Sequence, residues 1–175
     1  MTHAPTFKSA LFFIAVCALP LWAEAQNSAM PSPSGSAACT PAKQLKPTQI
    51  HGLWRVRFQP APQGLPADAR MLIERHAEFS DSVAGHVSRD LGPATGNAAS
   101  RAGHASRAQL AGDLEEGFLT LDESSNGVSI TGTWNGEMVE GSCGKKVVGT
   151  WKDVSSSAPA NAPDIPFTME KVSGW

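Results

Sequence analysis

Between Gly52 and Val172 apolar residues recur at every second position in short runs, and Gly, Pro, Asn or Ser cuts off each run. A period of two belongs to a strand with one buried face, whereas a helix needs a period near 3.6. The cleanest run is Gly52-Leu-Trp-Arg-Val-Arg-Phe58, which puts Trp54, Val56 and Phe58 on one face and Leu53, Arg55 and Arg57 on the other. Val128 to Trp134 repeats the pattern with Val128, Ile130, Gly132 and Trp134 on a shared face. Further strands are expected at 83–89, 108–114, 118–123, 146–152 and 167–172. The stretch 71–79 admits two readings. As a strand it groups Met71, Ile73, Ala77 and Phe79, with Arg75 interrupting; as a helix it has a poorer apolar face, so strand is preferred.

Glu115-Glu116-Gly117 and Asn126-Gly127 mark tight turns, the second suited to the positive φ angles of a type I′ hairpin. The expectation is therefore an all-β fold, an antiparallel meander of about eight strands over residues 50–175. Open edges invite pairing with other chains, so a sheet closed or nearly closed into a small barrel is favoured over an open sheet or sandwich. Eight strands enclose room for side chains or for one small ligand.

Residues 1–25 read as a cleavable signal peptide. His3 and Lys8 lie in a short n-region, an apolar run of about 13 residues ends at Trp22, and Ala23-Glu24-Ala25 offers small residues to a peptidase. That run is too short to span a bilayer, and no other approaches the needed length, so stable membrane insertion is not expected. Cys17 follows Val16 rather than a small residue, which disfavours a lipid anchor. Residues 26–49, rich in Pro, Ser and Ala, cannot bury enough apolar surface to order themselves and read as a flexible segment fixed near Cys39. Two cysteines follow the signal, Cys39 and Cys143; an even pair in an exported chain reads as a disulfide, with free thiols the alternative. The expected compartment is periplasmic or extracellular.

The net charge of −2 is spread along the chain without a basic stripe, which argues against a nucleic-acid partner. No Gly-x-Ser-x-Gly elbow, phosphate-cradling loop, dinucleotide fingerprint or zinc signature is present, so the reading leans against catalysis and names no catalytic residue, metal ligand or cofactor. Asp113, Glu115, Glu116, Asp122 and Glu123 read as solvated charge around a turn, and Glu74, His76 and Glu78 as a polar strand face. Arg75, opposite that face, would point inward and could meet an anionic ligand.

Gly52-x-Trp54 at the head of the first strand, together with Gly132-Thr-Trp134 and Gly149-Thr-Trp151 in a meander, resembles the calycin group: lipocalins, avidin-type barrels and small periplasmic inhibitors of metalloproteases. The resemblance implies that Trp54 closes one end of the barrel against a basic residue of the last strand, for which Lys171 is the local candidate. Two functions are open. One is a carrier holding a small apolar or amphipathic molecule among Trp54, Val56, Phe58, Arg75, Ile130, Trp134 and Trp151. The other is a module, such as a protease inhibitor, that meets an envelope protein through a tail or loop.

Overall fold

A computed structural model of the chain describes residues 39–89 and 107–174, all within the unit Ala37–Trp175. The segment read as a signal peptide, the first part of the Pro- and Ser-rich segment and residues 90–106 lie outside the described residues. A 3-10 turn, Ala42–Gln44, and one short helix, α1 (Pro47–Ile50), precede eight strands. These are β1 Gly52–Phe58, β2 Asp68–Arg75, β3 Ser82–Ser88, β4 Arg107–Glu115, β5 Phe118–Ser124, β6 Ile130–Met138, β7 Lys146–Asp153 and β8 Asp164–Ser173. Each pairs antiparallel with the next, and β8 returns to pair with β1, so the meander closes into a barrel and leaves no free sheet edge.

Alternation does most of the building. Trp54, Val56 and Phe58 of β1, Ala69, Met71 and Ile73 of β2, Leu119 and Leu121 of β5, and Phe167 and Met169 of β8 all turn inward and are buried. The lower end is where β1 begins; the upper end is where it finishes. Residues 39–50 cross the lower end as a floor. Cys39 is joined to Cys143 of the β6–β7 loop by a disulfide, the Ala42 N–H donates to Glu140 Oε2 at 3.0 Å, and Ile50 is buried in the core. Gly52 is where floor and wall cross. It has φ +136°, and a Cβ there would overlap the Ser173 carbonyl oxygen as β8 leaves the sheet. The glycine of Gly-x-Trp is thus required by close backbone approach.

Two expectations about strand extent change. The 71–79 stretch is a strand only as far as Arg75. His76 then ends it by accepting, at Nδ1, the backbone N–H groups of Glu78 and Phe79, each at 3.2 Å. Phe79 is consequently 60% exposed, and Glu74, His76 and Glu78 do not share a strand face. The Asn126-Gly127 turn is longer than a two-residue hairpin. Only Gly127 takes a positive φ, while the Asn126 side chain accepts the N–H groups of Val128 and Ser129 at 2.9 and 2.8 Å.

Candidate functional site

The upper half of the barrel interior holds four aromatic rings and one ion pair. Phe58, Trp134, Trp151 and Phe167 pack with centroid separations between 5.1 and 6.5 Å. Trp134 and Trp151 face each other across β6 and β7, and each ends a Gly-Thr-Trp triplet. Gly132, first residue of one triplet, is small because a Cβ there would overlap the Trp151 indole nitrogen.

Above these rings Arg89 and Glu123 meet with no side-chain exposure to solvent. Arg89 Nη1 donates to Glu123 Oε1 and Nη2 to Oε2, both at 2.7 Å, a bidentate fork. The indole N–H groups of Trp134 and Trp151 also donate to Oε2, at 3.1 and 3.3 Å. The guanidinium carbon lies 5.8 Å from the centroid of each indole, within cation–π range. A carboxylate taken out of water needs its lone pairs filled, and four N–H groups fill these. The Arg89 Nε–H has no acceptor among the described residues.

Neither member of this pair is among the residues expected inside, although the sequence carries the signal. Val83, Gly85, Val87 and Arg89 continue one inward row, and Leu119, Leu121 and Glu123 another. Nearness in sequence groups Glu123 with Asp113, Glu115, Glu116 and Asp122 around one turn. That turn, at Glu116-Gly117, lies at the lower end, whereas Glu123 sits at the far end of β5 and faces inward.

At the lower end a tryptophan of β1 meets a lysine of β8. Trp54 is fully buried, and its indole N–H donates to the Ile50 carbonyl at 2.9 Å. Lys171, directly opposite Trp54 on β8, holds its ammonium 5.9 Å from the indole centroid and donates to the Gln49 carbonyl at 2.7 Å. Both acceptors are end carbonyls of α1, which have no partner within so short a helix. Burial and the neighbouring Lys145 charge lower the Lys171 pKa. His51 is buried beside this pair with Nε2 unpartnered, and its pKa is lowered by burial first and then by Lys171, with Glu74 opposing and Arg75 adding.

Of the residues expected to face a ligand, Trp54, Val56, Phe58, Trp134 and Trp151 are buried together in the interior core. Two are placed elsewhere. Arg75 keeps the inward parity of Ala69, Met71 and Ile73, but it is the last residue of β2 and emerges exposed at the lower rim. Ile130 is 47% exposed because a bulge inserts Thr131: Glu123 pairs with Gly132 and Ser124 with Ile130, which reverses the phase of everything before Gly132. Among the described residues, three hollows of about 540, 270 and 200 Å³ lie on the outer wall, lined mostly by outward-facing side chains. Among the described residues no group of three acidic, His or Cys side chains could hold a metal ion, and no helix is long and apolar enough to cross a membrane. No known protein family matches the chain, and no curated protein matches it.

Proposed function

We propose that this chain is an exported, non-catalytic binding module of calycin-like architecture that meets a protein partner through its outside. The observation that carries this reading is the content of the barrel. Trp54, Phe58, Trp134, Trp151 and the Arg89–Glu123 pair occupy the interior where a carrier would hold its guest. A side chain packed at interior density is not displaced by a weak guest, because each buried aromatic would lose several kcal/mol (~3–5) on leaving. The Cys39–Cys143 disulfide supports an oxidising compartment, periplasmic or extracellular, and agrees with removal of a signal peptide after Ala25. The paired Trp54 and Lys171 support the calycin resemblance.

A carrier reading keeps one observation in its favour. The buried Arg89 Nε–H lacks an acceptor among the described residues, and a small ligand or water oxygen would supply one. The two readings separate in one experiment. The mature protein is purified from its own envelope, weighed by native mass spectrometry and titrated with the neutral apolar probe N-phenyl-1-naphthylamine while tryptophan emission is followed. The module reading expects the bare chain mass and no saturable quenching. A retained small molecule, or quenching that saturates at one equivalent, would overturn it.

A further inference from the structure

On the outer wall, strand register assembles a group of arginines that sequence distance conceals. Across β8, β1, β2, β3 and β4 the residues directly opposite one another are Glu170, Arg55, Arg70, Ser88 and Arg107, all exposed and all pointing outward. Glu170 is drawn sideways to Lys146, at 3.6 Å, and Arg57 is paired with Asp68 one row above, at 3.3 Å. Arg55 and Arg70 have no such partner among the described residues, and a hollow of about 540 Å³ opens beside them. Glu170 is a favourable cross-strand neighbour of Arg55, but like charges facing each other on adjacent strands destabilise a sheet, so the Arg55–Arg70 pair works against the fold. It does so in a chain whose net charge is −2.

We infer that this wall docks an acidic segment of a protein partner, carboxylates meeting Arg55 and Arg70, with Arg57 and Arg107 flanking. The inference rests on the module reading and names its surface. Adjacent strands bring two guanidinium groups to about 5 Å in backbone spacing, and Ser88 opens the next step to about 10 Å. Planar guanidinium forks bind carboxylates bidentately, and an anion between two of them removes their repulsion. A uniform polyanion suits the wall less well, because Glu170 at one end of the row and Asp68 one row above would repel it. Among the described residues no aromatic side chain lines the hollow for bases to stack on, and none of the large exposed apolar residues does so to insert into a membrane.

The test is calorimetric titration of the mature protein with an alternating Glu-Gly peptide, beside single-stranded DNA and phosphatidylglycerol vesicles. The peptide is expected to bind, to weaken as salt rises, and to lose at least about tenfold in affinity in Arg55→Ser and Arg70→Ser. Lys152→Ser, on β7 away from the row, should bind as the parent does. Arg70→Glu decides between a binding and a structural role. It should abolish binding while leaving the melting temperature unchanged or raised, since it turns a like-charged cross-strand pair into an opposite one. Peptide binding that survives Arg70→Glu would overturn the inference, as would DNA or vesicles binding more tightly than the peptide. Absence of peptide binding to the parent protein overturns the inference alone, because the module reading is decided separately by the neutral probe and the retained mass.

Discussion

The two ends of the barrel each set a cation against tryptophan, and they treat it in opposite ways. At the lower end Lys171 is half-buried at the rim, keeps some water, and donates to the Gln49 carbonyl that α1 leaves unfilled. At the upper end Arg89 is dry, so it must bring its own counter-charge, and Glu123 must in turn be satisfied by two indoles. A half-wet ammonium tolerates loss of its partner because solvent replaces it. A dry guanidinium does not, since no other carboxylate among the described residues pairs with it. The upper end is therefore cooperative and specific in what it accepts, and the lower end is forgiving in chemistry but braced by a covalent link.

The sharpest way to break this contrast is Glu123→Gln, which keeps the shape and removes the charge. Leaving Arg89 buried and unpaired should cost about 3–5 kcal/mol in urea unfolding. Replacing both partners together, Arg89→Met with Glu123→Leu, removes the stranded charge but leaves the two indole N–H groups without an acceptor at about 1–3 kcal/mol each, so its cost should be no greater than the single change only if the indoles find water. A single variant that loses under about 1 kcal/mol would mean that water reaches Arg89, and the ends would not differ in kind.

The same contrast explains how much of the molecule is legible in its sequence. The strands are legible because Trp54, Val56 and Phe58, and likewise Phe167 and Met169, repeat a period that only a half-buried strand keeps, and closure follows from the cost of open edges. The disulfide is legible from an even cysteine pair in a chain whose first residues read as an export signal. Ile130 is not, because a single extra residue, Thr131, reverses strand phase, and no composition signal marks a bulge. The Arg89–Glu123 pair escapes for a different reason. Charged residues are presumed outside unless paired, and pairing across 34 positions is a property of register, which one-dimensional pattern does not carry. The arginine row is hidden in the same way.

At the lower end the covalent brace should dominate. Removing it with Cys39→Ser and Cys143→Ser is expected to lose about 2–4 kcal/mol, within what a long closed loop contributes. The first protection lost in hydrogen exchange should be over 42–50. Next in size is Trp54→Phe, which removes the bond to the Ile50 carbonyl and should lose about 1–2 kcal/mol. Lys171→Met should lose about 0.5–1 kcal/mol, because solvent can replace the ammonium at the Gln49 carbonyl. If Lys171→Met proved as damaging as Glu123→Gln, the half-wet description of the lower end would be wrong.

The smallest expected effect is the pH response of His51, and it tests the same description from the solvent side. Burial and the charges of Lys171 and Arg75 hold its pKa below the ordinary histidine value, with Glu74 only partly offsetting them. An unfolded chain therefore binds a proton at His51 at a pH where the folded chain does not. Where the unfolded state binds more protons, stability rises with pH. The contribution of His51 is thus present above the ordinary histidine range and is lost as pH falls through that range toward the lowered folded value. Melting temperatures measured from pH 7.5 down to 5 should fall more steeply for the parent than for His51→Gln, which has nothing to protonate there. Adding Lys171→Met should shallow the parent's slope, because it removes one of the charges that oppose protonation. Parallel curves for the parent and His51→Gln would show that water screens the imidazole from Lys171, and that the lower end is wetter than its geometry implies.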